Sequence, residues 1–188
     1  MAVNFDQVLD RRRSDSLKWN AFPEDVLPFW VADMDFLSPA EVIDALSQRI
    51  KHGIFGYAVQ PRDLNEIVIQ WVEEHYHMQA EAEELLYIQG VIRGLNLASR
   101  AFLSPGEGIV FQPPIYPPFF KVGENSNLEN QPVDLKQNVD GSYGIDFAAL
   151  ESAIKANTRM FLLCNPHNPV GRVFTKNELE QIAEFCLR

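Results

Sequence analysis

The chain has 188 residues, a hydrophobic content of 46% and a formal net charge of −10. This length allows one sizeable core, or one domain with part of a second. The acidic charge argues against nucleic acid as a partner, and no apolar run is long enough for a membrane span or a signal core. The two cysteines, Cys164 and Cys186, lack metal-type spacing, so we expect a cytoplasmic protein with buried, reduced thiols.

The first third of the chain predicts an arm followed by two helices. Residues 1–37 contain prolines and many aromatic side chains, which indicates little regular structure. Ser38 is expected to cap a helix that has Pro39 at its first position and that ends at Gly53. Asp63 begins a second helix with a one-sided apolar pattern.

From residue 85 onward, strand patterns alternate with helix patterns. The predicted strands are 85–89, 108–112, 130–135 and 159–164, and the predicted helices are 91–103, 146–156 and 175–188. Strands separated by helices imply an α/β fold with a mainly parallel sheet sandwiched by helices. The last helix begins with a capping box but has no stop signal, so we expect the chain to be a piece of a longer protein.

Gly90 lies between a predicted strand and a predicted helix. Glycine permits a tight turn, and the free amides of the new helix, together with its dipole, form an anion site. For this segment alone, a plain turn between the two elements is an equally weighted alternative. Arg93, just inside the helix, either adds positive charge to that site or is simply exposed.

Two proline-rich loops follow the ends of predicted strands. In residues 113–119, four prolines hold Tyr116 and Phe119 in place, which suits stacking on a flat ring, with a plain surface loop as the alternative. Asn165-Pro-His-Asn-Pro-Val-Gly171 leaves an apolar strand in a rigid loop. Because ligands bind at the carboxyl ends of strands in open α/β sheets, its asparagines predict a ligand site rather than an ordinary connection.

Two further patterns favour structural explanations. Asp33 and Asp35 are paired carboxylates without other metal ligands nearby, so we expect them to pair with the backbone or with arginine. Ser152 and Lys155 match the S-x-x-K pattern of serine–lysine hydrolases, but the other elements of that set are absent. We interpret this second match as chance.

Five motifs, in order along the chain, resemble those of the fold-type I pyridoxal-phosphate enzymes. They are Trp30-Val-Ala-Asp-Met-Asp-Phe36, Phe55-Gly-Tyr57, Gly90-Val-Ile92, Pro114-Ile-Tyr116 and Asn165-Pro-His-Asn-Pro-Val-Gly171. The last is typical of the class I/II aminotransferase superfamily, and the first resembles more narrowly its cystathionine β-lyase branch of C–S lyases. The resemblance implies a transferase-like α/β fold that is incomplete at its C-terminus. In it, residues 1–50 form an arm and part of the small domain, and 51–188 form the first part of the large cofactor-binding domain.

The resemblance also implies how this chain holds pyridoxal 5′-phosphate. The backbone amides of Val91 and Ile92 are expected to bind the cofactor's phosphate group. Tyr116 is expected to stack on the pyridine ring and to assist proton movement, which makes it the catalytic candidate. Asn168 is expected to donate a hydrogen bond to the phenolic oxygen of the ring.

Two of the implied roles concern a second subunit and the substrate. Tyr57 is expected to reach across a homodimer interface to the neighbouring subunit's cofactor phosphate, and Ala32 to border the carboxylate of an amino-acid substrate. The implied activity is cleavage of the Cβ–S bond of cystathionine or related cysteine S-conjugates, giving a thiol, pyruvate and ammonia. An aminotransferase on the same scaffold, and a regulatory or binding protein without catalysis, are the alternatives.

Three residues that the resemblance requires are not recognised in this sequence. The superfamily uses a Schiff-base lysine, an aspartate for the pyridinium nitrogen and an arginine for the substrate carboxylate, which normally follow the Asn-Pro loop. No lysine of this chain occupies the expected context. We therefore expect the 188-residue chain alone to be inactive.

Overall fold

The computed structural model describes residues 4–188. The chain divides into two compact units, one ending at Leu64 and the other comprising Asn65–Arg188. The helices of the described residues are α1 Leu17–Asn20, α2 Ala40–His52, α3 Leu64–Tyr76, α4 Val91–Phe102, α5 Pro118–Ser126, α6 Phe147–Ala153 and α7 Lys176–Leu187, with a 3₁₀ turn at Ala82–Glu84. The strands are β1 Gly108–Phe111, β2 Glu129–Pro132, β3 Lys136–Gln137, β4 Tyr143–Gly144 and β5 Thr158–Phe161.

The first unit contains one more helix than the sequence predicts, and a different cap. The short helix α1 interrupts the predicted arm, because the Ser16 hydroxyl accepts a hydrogen bond from the Trp19 amide and starts a turn. The predicted Ser38 cap on α2 is wrong. Pro39 is extended (φ −50°, ψ 142°), so it occupies the N-cap position itself and Ser38 lies outside the helix. The predicted end at Gly53 is confirmed by its φ of 74°.

A network of ion pairs fixes the segment around Asp33 and Asp35. The Arg11 guanidinium lies 2.6 Å from Asp33 Oδ2 and 2.6 Å from Asp35 Oδ1. Lys18 Nζ lies 2.7 Å from Asp35 Oδ2, and Trp19 Nε1 donates to Asp35 Oδ1 at 2.7 Å. The hydrogen bonds from Lys18 and Trp19 hold the pKa of Asp35 well below its ordinary value. The structural interpretation of these carboxylates is confirmed.

The second unit is built on a parallel sheet of order β2-β1-β5, which confirms the predicted α/β arrangement. The central strand β1 is buried along its whole length. Ile109 and Phe111 face one side and pack with residues of α5, whereas Val110 faces the other side and packs with Leu150 of α6. Because alternate β1 side chains are covered by helices on opposite faces, the strand is apolar throughout.

Three sequence predictions in the second unit need correction. The segment 85–89 pairs with no strand among the described residues, and Leu86 is 90% exposed, so its apolar pattern does not make a strand. Helix α6 ends at Ala153, before the predicted limit. Cys164 and Cys186 are free thiols, as expected, but neither is buried, since Cys164 is half-buried beside the core and Cys186 is exposed on α7. No helix within residues 4–188 combines the length and the apolar character that crossing a bilayer requires.

Candidate functional site

A cavity of about 450 Å³ lies within the second unit, where the segments after β1 and β5 meet the start of α4. Four of the residues predicted from the sequence line it together: Val91, Ile92, Tyr116 and Asn168. In an α/β sheet, the carboxyl ends of the strands are the usual place for a ligand. The structure therefore gathers three separate sequence motifs around one space.

The N-terminus of α4 forms one end of the cavity. Gly90 adopts φ 95° and ψ 148°, and its carbonyl accepts the first helical hydrogen bond, from Gly94 N at 3.2 Å. The amides of Val91 and Ile92 precede that bond, so neither has a partner within the helix. The first turn contains no acidic side chain that would compete for these amides. This end of the cavity therefore suits an anion.

Arg93 is exposed and lines the same cavity. Its guanidinium donates to Gln89 Oε1, on the segment that leads into Gly90. The exposure that one sequence alternative expects is therefore present, whereas a contribution of Arg93 to the charge of the anion site stays a prediction.

The loop between β1 and α5 carries Tyr116, whose side chain is 43% exposed. The loop is held from two sides. Leu135 N donates to Pro113 O at 2.6 Å, and His167 Nε2 lies 3.0 Å from Pro114 O. Tyr116 O accepts from Phe119 N at 3.0 Å, which joins the loop to the first turn of α5. The backbone around Tyr116 is therefore tied down while its ring faces the cavity.

The loop after β5 presents Asn168. The backbone amide of Asn168 lies 3.5 Å from Cys164 Sγ, whereas its exposed side-chain amide has no hydrogen-bond partner among residues 4–188. Asn165 is used differently, because its Oδ1 accepts from Phe174 N at 3.0 Å and closes the loop. Both asparagines of the motif line the cavity, but Asn165 has one side-chain atom committed to the loop, whereas the Asn168 side chain has none.

Arg172 is a supporting residue that the sequence reasoning missed. Its guanidinium lies 2.5 and 2.6 Å from the two carboxylate oxygens of Glu178, donates to Tyr143 O, and lies 5.0 Å from the centre of the Phe174 ring. These contacts connect the end of the loop that contains Asn168 to β4 and α7, and Arg172 does not line the cavity. In the sequence, Arg172 comes directly after the loop and six residues before Glu178, the acidic residue of the α7 capping box. This spacing could have indicated the ion pair between the two side chains.

The remaining candidates lie elsewhere. Tyr57, which is fully exposed, and Ala32 belong to the first compact unit, so their roles stay predictions. Ser152 Oγ donates to Ala148 O at 2.8 Å, and Lys155 Nζ lies 2.5 Å from Glu129, so the two side chains do not form a nucleophile–base pair. Among the residues that the structure describes, no cluster of His, Cys, Asp or Glu has the arrangement of a metal site.

The chemistry of the cavity suits a flat ligand that carries an anionic group. Helix amides stand at one end, an aromatic ring forms one wall, and a free carboxamide provides a hydrogen-bond donor or acceptor. These groups match a phosphorylated heteroaromatic ring, since the phosphate needs backbone amides and the ring needs a stacking partner and one polar contact.

Known proteins resemble this chain in sequence and in fold. The family model described as aminotransferase class I and II matches residues 24–188. The cystathionine beta-lyase PatB of Bacillus subtilis is 37% identical, over 98% of this chain and 49% of the relative. A PLP-bound putative aminotransferase from Clostridium difficile is 37% identical with a TM-score of 0.91, over 99% of this chain and 49% of its own. Cystalysin from Treponema denticola, solved with a pyridoxal 5′-phosphate cofactor, is 32% identical with a TM-score of 0.89, over 100% and 49%. The chain therefore spans about half the length of these relatives.

Proposed function

Because the chain belongs to the aminotransferase class I and II family, we propose that the protein is a pyridoxal 5′-phosphate-dependent carbon–sulfur β-lyase. It cleaves the Cβ–S bond of cystathionine or a related cysteine S-conjugate and, with the uptake of one water molecule, releases a thiol, pyruvate and ammonia. The observation that carries the proposal is the convergence of Val91, Ile92, Tyr116 and Asn168 on one cavity. Similarity to a relative named cystathionine beta-lyase favours the lyase reaction.

The start of α4 binds the cofactor's phosphate group. The amides of Val91 and Ile92 point along the helix axis toward the cavity, where the positive end of the helix dipole adds to their attraction. Arg93, which lines the same cavity, adds a positive charge. The residues present fit the cofactor at this end, since no acidic side chain lies in the first helical turn.

Tyr116 and Asn168 bind the cofactor ring. The phenol of Tyr116 stacks against the ring face, and its hydroxyl moves a proton during the reaction. Asn168 donates its side-chain N–H to the ring's phenolic oxygen, a bond that its unpaired amide is free to make. When bound, pyridoxal phosphate supplies an electron sink that acidifies the substrate's Cα proton and allows the β-thiolate to leave.

Two residues of the first unit have proposed roles toward the substrate and toward a second subunit. We assign Ala32 to the border of the substrate carboxylate and Tyr57 to the cofactor phosphate of a neighbouring subunit in a homodimer. We propose that residues 1–50 form an arm with part of the small domain and that residues 51–188 form the first part of the large domain. A cytoplasmic location stays a prediction.

The amine that holds the cofactor comes from outside this chain. No lysine lines the cavity among the described residues, and the chain spans about half the length of its relatives. We assign the lysine, the aspartate for the pyridinium nitrogen and the arginine for the substrate carboxylate to the remaining half of the protein. The 188-residue chain alone is therefore expected to be inactive.

The test uses the complete protein, purified with added pyridoxal 5′-phosphate and incubated with cystathionine. Bound cofactor is expected to absorb in the visible range, and pyruvate and ammonia are expected to form without any keto-acid acceptor. A complete protein that binds no cofactor would refute the proposal.

An aminotransferase is the second candidate, because one structural neighbour with a TM-score of 0.91 is described as a putative aminotransferase. It would require a keto acid and would transfer the amino group to it, releasing no ammonia. Measuring ammonia with and without a keto acid separates the two reactions. Cofactor binding with neither product would favour a regulatory protein that has kept the fold.

A further inference from the structure

We propose that His167 is a positioning residue that joins the loop of Tyr116 to the loop of Asn168 and so holds two walls of the cavity in register. The inference rests on the proposed function for the identity of the ligand. The role itself concerns contacts within this chain and involves no contact between His167 and the ligand.

The first observation is the contact between the two loops. His167 Nε2 lies 3.0 Å from Pro114 O, although the two residues are 53 positions apart. A carbonyl oxygen only accepts hydrogen bonds, so Nε2 carries the proton and donates it. Pro114 lies two residues before Tyr116, and His167 lies directly before Asn168. One side-chain bond therefore links the backbones that present both ring-binding residues.

The second observation is that His167 is itself held firmly. Its backbone amide donates to Arg172 O at 2.6 Å, and its carbonyl accepts from Gly171 N at 2.8 Å. Its ring is 2% exposed and packs edge-on against Phe174, with ring centres 5.7 Å apart. Because the backbone and the ring plane are both fixed, a displacement of one loop is transmitted to the other through the Nε2 bond.

The third observation is the other ring nitrogen. His167 Nδ1 is buried and has no hydrogen-bond partner in the part of the chain that the structure describes. A buried polar atom without a partner is unfavourable, and a phenylalanine would fill a similar volume without that cost. Packing alone therefore does not explain an imidazole here, whereas the Nε2 bond to Pro114 does.

The experiment compares His167→Phe, which keeps the ring volume but removes the donor, with His167→Gln, which keeps a donor N–H. In the complete protein, His167→Phe is expected to raise the dissociation constant of pyridoxal 5′-phosphate about five- to tenfold, the effect of losing one neutral hydrogen bond. His167→Gln is expected to restore it to within about twofold of the wild type. Binding is measured by equilibrium dialysis.

Two further measurements separate positioning from simple stabilisation. In a Tyr116→Ala background only Asn168 is left to be positioned, so His167→Phe is expected to raise the dissociation constant by a smaller factor than it does in the wild type. In protein without cofactor, the amides of Leu135 and Phe119, which donate to Pro113 O and Tyr116 O, are expected to exchange about tenfold faster in His167→Phe than in the wild type. His167→Leu replaces His167→Phe if the latter does not fold.

Equal effects of His167→Phe in the wild-type and Tyr116→Ala backgrounds, or unchanged exchange of the Leu135 and Phe119 amides, would overturn the inference. A complete wild-type protein that binds no cofactor would instead refute the proposed function. In that case the amide exchange rates alone test the role of His167. Faster exchange in His167→Phe than in the wild type supports the contact between the loops, and unchanged exchange contradicts it.

Discussion

Gly90 is the residue whose replacement tests the anion site most directly. Its φ of 95° and ψ of 148° are adopted readily only by glycine, while an added β-carbon would meet no atom within 4 Å. Alanine at this position therefore costs about 1–3 kcal/mol of backbone strain, without a steric clash. Gly106 is a matched control, because its φ is 86° and its surroundings are equally open, but it does not line the cavity.

The strain of Gly90→Ala is relieved when the peptide that carries the Val91 amide rotates away from the cavity. We expect the dissociation constant of pyridoxal 5′-phosphate to rise at least about tenfold, since a hydrogen bond to a charged group contributes about 1.5–3 kcal/mol. Gly106→Ala is expected to lower the free energy of unfolding by a similar amount, about 1–3 kcal/mol, without changing cofactor binding.

Both variants are measured in the complete protein by denaturant unfolding and by titration with the cofactor. Inorganic phosphate serves as a second ligand, because it probes the anion site without the ring contacts of Tyr116 and Asn168. If Gly90→Ala and Gly106→Ala bind the cofactor with the same dissociation constant, the α4 amides do not hold the phosphate and the reasoning is wrong.

Asp35, Asn168 and Leu150 provide three further tests. Because hydrogen bonds from Lys18 and Trp19 lower the pKa of Asp35 from its ordinary 3.8, its contribution to stability is present above pH 3.8 and is lost as the pH falls below that value. Thermal melts of Asp35→Asn should therefore show a weaker acid dependence than the wild type, and an unchanged dependence would contradict this. Asn168→Ala should raise the cofactor dissociation constant about tenfold and shift the absorption maximum of bound cofactor, whereas an unaltered spectrum would argue against the contact with the phenolic oxygen. Leu150→Ala, at a fully buried position, should lower the free energy of unfolding by about 2–5 kcal/mol in denaturant titrations, and a loss below about 1 kcal/mol would show that α6 does not cover the sheet as described.

The elements with strong local signals could be predicted from the sequence. Gly90 followed by an apolar-faced run predicts a helix start, and α4 begins at Val91. Thr175 and Glu178 predict a capping box, and both of its hydrogen bonds are present at the start of α7. Asp146 caps α6 through a bond from Ala149 N. In each case the residues that determine the structure lie within one helical turn of each other.

The errors concern structure that depends on distant contacts. Residues 85–89 have the apolar pattern of a strand, but a strand also needs a neighbour to complete its hydrogen bonds, which no local pattern reveals. The brace formed by Arg172 depends on Tyr143, 29 residues away, and the contact between His167 and Pro114 spans 53 residues. Such side-chain contacts depend on the order of the strands in the folded chain. The sequence motifs therefore identify the loops of the site, but they do not reveal the distant contacts that fix these loops in place.

Strand order also explains why Tyr116 and Asn168 share one cavity. The chain passes from β1 to β2 on one side of β1, and then returns to β5 on the other side. Helix α5 follows β1 and covers the face of Ile109 and Phe111, whereas α6 precedes β5 and covers the opposite face. The chain thus reverses its direction of winding between β1 and β5, and the loops after these two strands enclose a crevice at their carboxyl ends. A ligand site at this point needs no specific motif to exist. In the function that we propose, the motifs supply the groups that bind the ligand there, namely the amides after Gly90, the ring of Tyr116 and the carboxamide of Asn168. The proposed contact of His167 with Pro114 would hold the two loops together.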